Sequence, residues 1–469
     1  MNKYKKLVSD TAVFAIGSFG AKFLSFFLVR LYTGVMNEAE YGQADLIYQT
    51  INVLYPLITL AMADAVIRFG LDKGYSKTKV YSSALFVTLV GCGVFALASP
   101  ALNTIPEFFG YTFYIYAACM FSCGRQITAH FIRARNQVKL FALDGILATL
   151  TTVIGNVIFL LALGMGVRGY VLSIICSDIL SILFLSIVGG SYRYINFRGI
   201  ASTLLHMVKY SLPLVPTYIL WWITSASDRW FVIALVGETE NGIYSAGYKI
   251  PTLLLMFTTL FFQAWQMSVI ENKDDKDITD YYSKVWRIYS ALLLVGACGL
   301  ILICKPLTYI LVDTNGKDFV LSYRYSAILI FAMVFQCSCQ FLTSIYNVKK
   351  RSLNACVTAL VAAGVNIALN AVLIPRIGVL GAALATAAAY LLCFVVRIID
   401  ARRYIKFSPY VLKLTLNTVL AAAAAAVCYL QTENNIVIIL AITLVAIAFN
   451  LRAVIDTVKK ILRPEKITR

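Results

Sequence analysis

The stretch SLPLVPTYILWWITSASDRWFVIALVGETENGIYSAGYKIP, from Ser211 to Pro251, decides the fold. It sets adjacent Asp228 and Arg229 inside an apolar run, closes that run with Glu238-Thr-Glu-Asn-Gly242, and opens a second apolar run directly after. A run of about 20 apolar residues spans the hydrocarbon layer at the helical rise. The stretch therefore reads as two membrane helices joined by a short acidic turn. Two hundred positions earlier stands Glu38-Ala-Glu-Tyr-Gly42, again between apolar runs, and Tyr48 falls opposite Tyr248. The chain reads as one half written twice.

Working outward, similar runs recur along all 469 residues, of which 60% are hydrophobic and only 14% charged. That composition excludes a soluble domain and defines an all-α polytopic membrane protein. The spans fall at 11–33, 43–67, 80–102, 111–132, 141–163, 169–190, 210–236, 243–269, 288–311, 323–346, 353–374, 379–399, 410–430 and 434–451. The first follows Met1-Asn-Lys-Tyr-Lys-Lys6, is too long for a signal-peptide core and ends without a small-residue cleavage site, so it reads as a retained span. Fourteen spans put both termini on one side. The net charge of +18 would suit a nucleic-acid partner, but most of the Lys and Arg fall in the termini and alternate loops. Only Arg168, Lys317, Arg324 and Arg376 lie in the other loops, so the excess marks the cytoplasmic side and excludes nucleic acid as the reason for it. The longest polar loop, 271–287, reads as a cytoplasmic link. Eleven cysteines, all in apolar segments, act as small hydrophobes, and two distant histidines, His130 and His206, offer no metal site.

The repeat returns where Gly166-Val-Arg-Gly169 matches Gly378-Val-Leu-Gly381, with Asn156 and Asn366 at similar distances before them. Six spans separate equivalent features, an even number, so the copies enter the membrane in the same direction as parallel lobes. This divides the chain into a first lobe at 1–200, a second at 201–405, and two further helices with a tail at 406–469. Pro56, Pro213, Pro216 and Pro251 loosen the leading helices.

Charges within spans are expensive and face a cavity or a partner. Lys22 lies about 18 Å below the outer turn with no acidic partner on its own helix, and joins Arg30, Arg125, Arg229 and Lys249 as candidates to line a cationic cavity. Arg125 has a second reading, as a marker of the cytoplasmic boundary. Matched depths suggest ion pairs across the hairpins: Asp228 with Lys249, and Asp45 with Arg30. Asp64 precedes Arg68 by four residues, the spacing of a helical ion pair. Asp178, mid-span and without an evident partner, reads either as a proton or cation site or as a structural hydrogen-bonded group. Trp221 and Trp222 suit sugar stacking or plain packing.

Taken in order, the two six-span lobes, the seventh span with Pro213, Asp228-Arg229 and Gly242-Ile-Tyr244, and Asn366 to Ala382 with Pro375-Arg-Ile-Gly378 resemble the polysaccharide-transport branch of the multidrug, oligosaccharidyl-lipid and polysaccharide exporter superfamily, the Wzx-type flippases. The resemblance covers essentially the whole chain. It implies a MATE-like fold and transfer of an undecaprenyl-pyrophosphate-linked oligosaccharide to the outer leaflet of a bacterial plasma membrane. That transfer serves O-antigen, capsule or exopolysaccharide assembly, without a cofactor and alongside other polysaccharide-assembly membrane proteins. A lipid II flippase and a cation-coupled drug exporter are the neighbouring readings. A membrane-embedded glycan polymerase or ligase would need a large catalytic outer loop, and none here exceeds about a dozen residues.

Overall fold

The computed structural model describes residues 28–271, 277–313, 318–349, 351–431 and 434–462. Their regular structure is helical, without a strand. Cα packing divides the chain into two units, one ending at Trp222 and the other running from Ile223. The first contains α1 (Glu38–Ile58), α2 (Met62–Gly70), α3 (Lys77–Ala98), α4 (Thr112–Ala134), α5 (Val138–Asn156), α6 (Gly166–Ile187) and α7 (Ala201–Ser211). The boundary falls inside α8 (Val215–Leu235). The second unit continues with α9 (Glu238–Gly247), α10 (Lys249–Glu271), α11 (Ile278–Leu311), α12 (Ser322–Val348), α13 (Ser352–Ile377), α14 (Val379–Ala401), α15 (Val411–Leu430) and α16 (Asn435–Leu462).

The acidic turns turn out to be helix beginnings. Asn37 caps α1 by accepting from the Glu40 amide at 2.9 Å, while the Glu40 carboxylate accepts from the Asn37 amide at 3.0 Å, a reciprocal capping box. Glu38 and Glu40 open α1 as Glu238 and Glu240 open α9, so each pair sets negative charge against the positive end of a helix dipole.

The glycine repeat has the same two roles in both units. Gly166 and Gly378 sit at φ +53° and +59°, where a side chain is strained, and each turns the chain into the next helix. Three residues on, a Cβ at Gly169 would stand 2.9 Å from the Phe159 carbonyl oxygen, and one at Gly381 would stand 2.6 Å from the Leu373 carbonyl carbon. Both glycines thus let two antiparallel helices approach backbone to backbone. Asn156 and Asn366, both fully buried, bond to the following helix through Ser173 and Thr386.

Helices α1 and α2 form one apolar segment bent by 53°. Pro56 lies in the last turn of α1, and Leu60 and Ala61 follow at φ 48° and 53°. The bend exposes the Ile58 carbonyl, and Gly91 of α3 fills the space so closely that a Cβ there would stand 1.9 Å from that oxygen. Gly91→Ala should therefore lower the melting temperature, by about 1–3 kcal/mol of stability. Ala61→Gly, which relieves a left-handed residue, should hold or raise it. Thermal unfolding in detergent measures both, and a loss in Ala61→Gly would count against strain at the bend.

Among the described residues nine helices are long and apolar enough to cross a bilayer, ten if the bent pair is one span. The fourteen read from hydropathy are not all established. Most of the expected first span, Lys22 included, lies outside the described residues. Helices α4 and α8 fall outside the nine because they carry Ser122, Arg125 and Gln126, or Ser227, Asp228 and Arg229, in their middles. The expected 271–287 loop is also shorter. Helix α11 begins at Ile278, because Tyr281, Tyr282, Val285, Trp286 and Tyr289 bury one face from its first turn onward. Their core includes Trp265 stacked on Phe341 at 5.0 Å.

Candidate functional site

Each unit holds a cluster of charged and polar side chains centred on a helix that falls short of the apolar test, α4 in the first and α8 in the second. In the second unit the centre is Asp228, fully buried, with Arg229 2% exposed beside it. Tyr244 on α9 and Tyr248 at its C-cap are four residues apart, which puts both hydroxyls on one face. They donate to Asp228 Oδ2 at 2.5 and 2.9 Å, and Thr386 of α14 adds a third hydroxyl at 3.3 Å. The other carboxylate oxygen takes the Arg229 amide at 3.0 Å and faces its Nη1 at 3.4 Å. The guanidinium also donates to the Ser225 carbonyl and lies 4.3 Å over the Tyr248 ring. Below this, Asn366 Oδ1 accepts from Ser227 at 3.0 Å and from Asn370 at 3.1 Å, and Asn366 Nδ2 reaches Thr386. The buried Asn370 Oδ1 has no hydrogen-bond partner among the described residues.

A carboxylate removed from water is tolerable only when its lone pairs are met by donors and its charge by a cation. Asp228 has both. The sequence expectation paired this carboxylate with Lys249. Lys249 opens α10, partly buried, while the hydrogen bonds to Asp228 come from Tyr244, Tyr248, Thr386 and Arg229.

In the first unit Arg125 of α4 bridges two carboxylates. Its Nη1 is 3.1 Å from Asp178 Oδ1 on α6, and its Nη2 is 3.6 Å from Asp144 Oδ2 on α5. Ser122 donates to the second Asp178 oxygen, and Ser181 donates to Asp144 at 2.5 Å. The carboxylates are 5% and 3% exposed against 28% for the arginine, so the cation forms the open side of the cluster. Asp178 thus has the partner that sequence reading could not find, three helices being needed to assemble it. Nearby, Asn156 donates to the Tyr32 hydroxyl at 2.9 Å.

The remaining candidates scatter. Arg30 is exposed and Asp45 buried, and Lys22 is outside the described residues. Asp64 bonds the Tyr218 hydroxyl at 2.6 Å and has no ion pair with Arg68, so the spacing of four was not used. Trp222 donates its indole N–H to the Gln49 carbonyl at 2.8 Å, a packing role. Sequence reading missed Asp144, Tyr248, Thr386 and Asn370 as site residues. It also passed over Arg397, which falls inside the expected span 379–399; the side chain is fully buried in α14, donating to Thr343, Thr358 and the Cys339 and Ala355 carbonyls. A count of every polar group at i, i+4 spacing within spans would have flagged Tyr244 with Tyr248 and Asn366 with Asn370.

These features define a polytopic membrane protein with the fold of the multidrug, oligosaccharidyl-lipid and polysaccharide exporters. The fold superposes on the lipid II flippase MurJ in an inward closed conformation with a TM-score of 0.69, at 17% identity over 96% of this chain and 100% of that one. A multidrug-resistance MATE transporter in an outward-facing conformation superposes with a TM-score of 0.65, at 15% identity over 87% of this chain and 96% of that one. In sequence, protein 1 of the Lsg locus of Haemophilus influenzae is 19% identical over 315 residues, 62% of this chain and 72% of that one. Residues 7–266 match the polysaccharide biosynthesis protein family, and the chain belongs to it.

Proposed function

We propose that this protein is a flippase that carries an undecaprenyl-pyrophosphate-linked oligosaccharide from the cytoplasmic to the outer leaflet of a bacterial plasma membrane, with both termini in the cytoplasm. The observation that best supports the reading is a buried ion pair among the helices of a chain in a family of polysaccharide biosynthesis. Membrane proteins retain such groups at substrate or coupling pathways. The diphosphate cannot cross hydrocarbon unaided, whereas the prenyl tail can stay in lipid, so the protein need only supply a polar route and alternate its access.

Lys22, Arg30 and Lys249 are proposed to contact the head group; Arg30 is exposed and Lys249 partly so, which suits cations that meet a phosphate. Arg229 and Arg125 are held by Asp228, Asp144 and Asp178, and we assign them to the cycle rather than to phosphate. A proton or a monovalent cation exchanging at Asp228 or Asp178 is the proposed coupling step. The action is transport, not polymer synthesis.

Reconstitution into liposomes with a labelled lipid-linked oligosaccharide tests this. Arg30→Ala and Lys249→Ala should slow head-group translocation by about tenfold each, on the scale of one lost charge-assisted contact. Translocation at the wild-type rate in both would remove the cationic route. Elongated polymer formed by the purified protein would replace the reading with a glycan polymerase. Single-cysteine labelling should find Glu38 and Glu238 positions reactive from outside and Arg68 to Lys79 positions from inside.

A further inference from the structure

Where α13 begins and α14 ends, a cavity of about 350 Å³ opens between them. Its walls are apolar and outward-facing: Leu353, Val357 and Ile399 are 74%, 51% and 59% exposed, with Val396 between. On membrane helices such a face meets hydrocarbon. Its mouth is polar and ordered. Asp400 accepts from the Tyr346 hydroxyl and from Asn354 Nδ2, each at 2.8 Å, and Asn354 also donates to the Tyr404 hydroxyl at 3.1 Å.

Two guanidinium groups flank this mouth. Arg403 reaches Asp400 by one long contact of 3.5 Å and is 74% exposed, which leaves most of its five N–H donors directed outward. Arg351 lies over the Tyr404 ring at 5.6 Å. Arg402 and Lys406 add to the basic character of the same chain segment. Asp400 opposes an anion, but its charge is met by Tyr346, Asn354 and Arg403.

We propose that this slot holds one anionic glycerophospholipid, its acyl chain along Leu353, Val357, Val396 and Ile399 and its phosphate on Arg403 and Arg351. The charge pattern selects this occupant. A partner's membrane helix would fill the apolar walls without drawing on two outward guanidinium groups, whereas a phosphate head group on a hydrocarbon tail uses both features at once. Basic pockets between membrane helices recognise anionic head groups by this combination. The site lies within the second unit and is separate from the Asp228 cluster, so it stands or falls independently of the transport reading.

The test is lipid binding to the purified, delipidated full-length protein in detergent, followed by native mass spectrometry with phosphatidylglycerol or phosphatidylcholine. The wild type should bind one phosphatidylglycerol about fivefold or more tightly than phosphatidylcholine, the scale of one guanidinium near a charged lipid surface. The Arg351→Ala, Arg403→Ala double variant should bring the two lipids to parity. Asp400→Asn should move the preference the other way, and Arg403→Lys should keep it. Val357→Trp, which fills the slot, should weaken both lipids. Melting temperatures without added lipid identify any variant that fails to fold, and the exposed Arg403→Lys then serves as the folded reference. Equal affinity for the two lipids in the wild type, an unchanged preference in the double arginine variant, or unchanged binding in Val357→Trp would each overturn the assignment. Loss of the bound lipid only when a membrane partner is co-purified would instead make the slot a helix-docking face.

Discussion

Asp228→Asn should be the most damaging single change in the second unit, lowering both stability in detergent and head-group translocation. The carboxylate is fully buried and takes three hydroxyls and an arginine. Asparagine keeps the shape, but it offers one acceptor oxygen and two N–H groups where only donors point. It also leaves Arg229, 2% exposed, without its carboxylate. Removing one partner of a buried pair costs about 3–5 kcal/mol. Tyr248→Phe or Tyr244→Phe, which each delete one hydrogen bond to a charged group, should cost about 1.5–3 kcal/mol. The double variant Asp228→Asn, Arg229→Met should recover part of the loss. By contrast, Asp228→Asn combined with Lys249→Met should be additive, because the structure does not pair those two residues. Melting curves for the five substitutions, alone and in these combinations, decide the matter. Strong coupling between Asp228 and Lys249 would show that they meet in another state of the cycle.

Why the sequence pointed to Lys249 is instructive. Depth along a helix follows from counting residues, since the rise is fixed. Azimuth around it relative to a neighbour does not, and azimuth decides contact. Counting put Asp228 and Lys249 at one depth, while Tyr244 and Tyr248 face the carboxylate. The same limit hid the Asp178 partner: Arg125 lies on another helix 53 positions away. Features fixed by backbone chemistry were legible. Gly166 and Gly378 match as a repeat, and both take positive φ at the turn. Asn156 and Asn366 were matched, and both bond the next helix.

Hydropathy erred in the opposite direction at Tyr281 to Tyr289. That stretch reads as polar because Asp280, Lys284 and Arg287 interrupt it, yet its aromatic face packs as core. A periodic pattern of large side chains within a charged segment is therefore better evidence of helix than the segment's average polarity. Arg397 gives the complementary lesson. It falls inside an expected apolar span, where a charge is costly, but five donors in one plane can be satisfied by carbonyls and threonines inside a helix bundle.

The charge balance of the first unit's cluster sets an order among its variants. Asp144 and Asp178 share one guanidinium, so Arg125→Met leaves two carboxylates buried together with no cation between them. Like charges buried around one site repel, and Ser122 and Ser181 hold only one oxygen each. The loss should approach the lower end of about 3–5 kcal/mol, since the arginine is partly accessible and water moderates the change. Asp178→Asn breaks the shorter contact and leaves Arg125 with Asp144, an outcome of intermediate cost. Asp144→Asn removes the carboxylate at 3.6 Å, keeps the 3.1 Å pair and leaves the cluster neutral, so it should be the mildest. Adding Asp178→Asn to Arg125→Met should restore stability relative to Arg125→Met alone. Melting temperatures of the purified variants check the ranking, with translocation measured in parallel. A milder effect for Arg125→Met than for Asp144→Asn would mean that the arginine serves the open side of the cluster and the two carboxylates are stabilised without it.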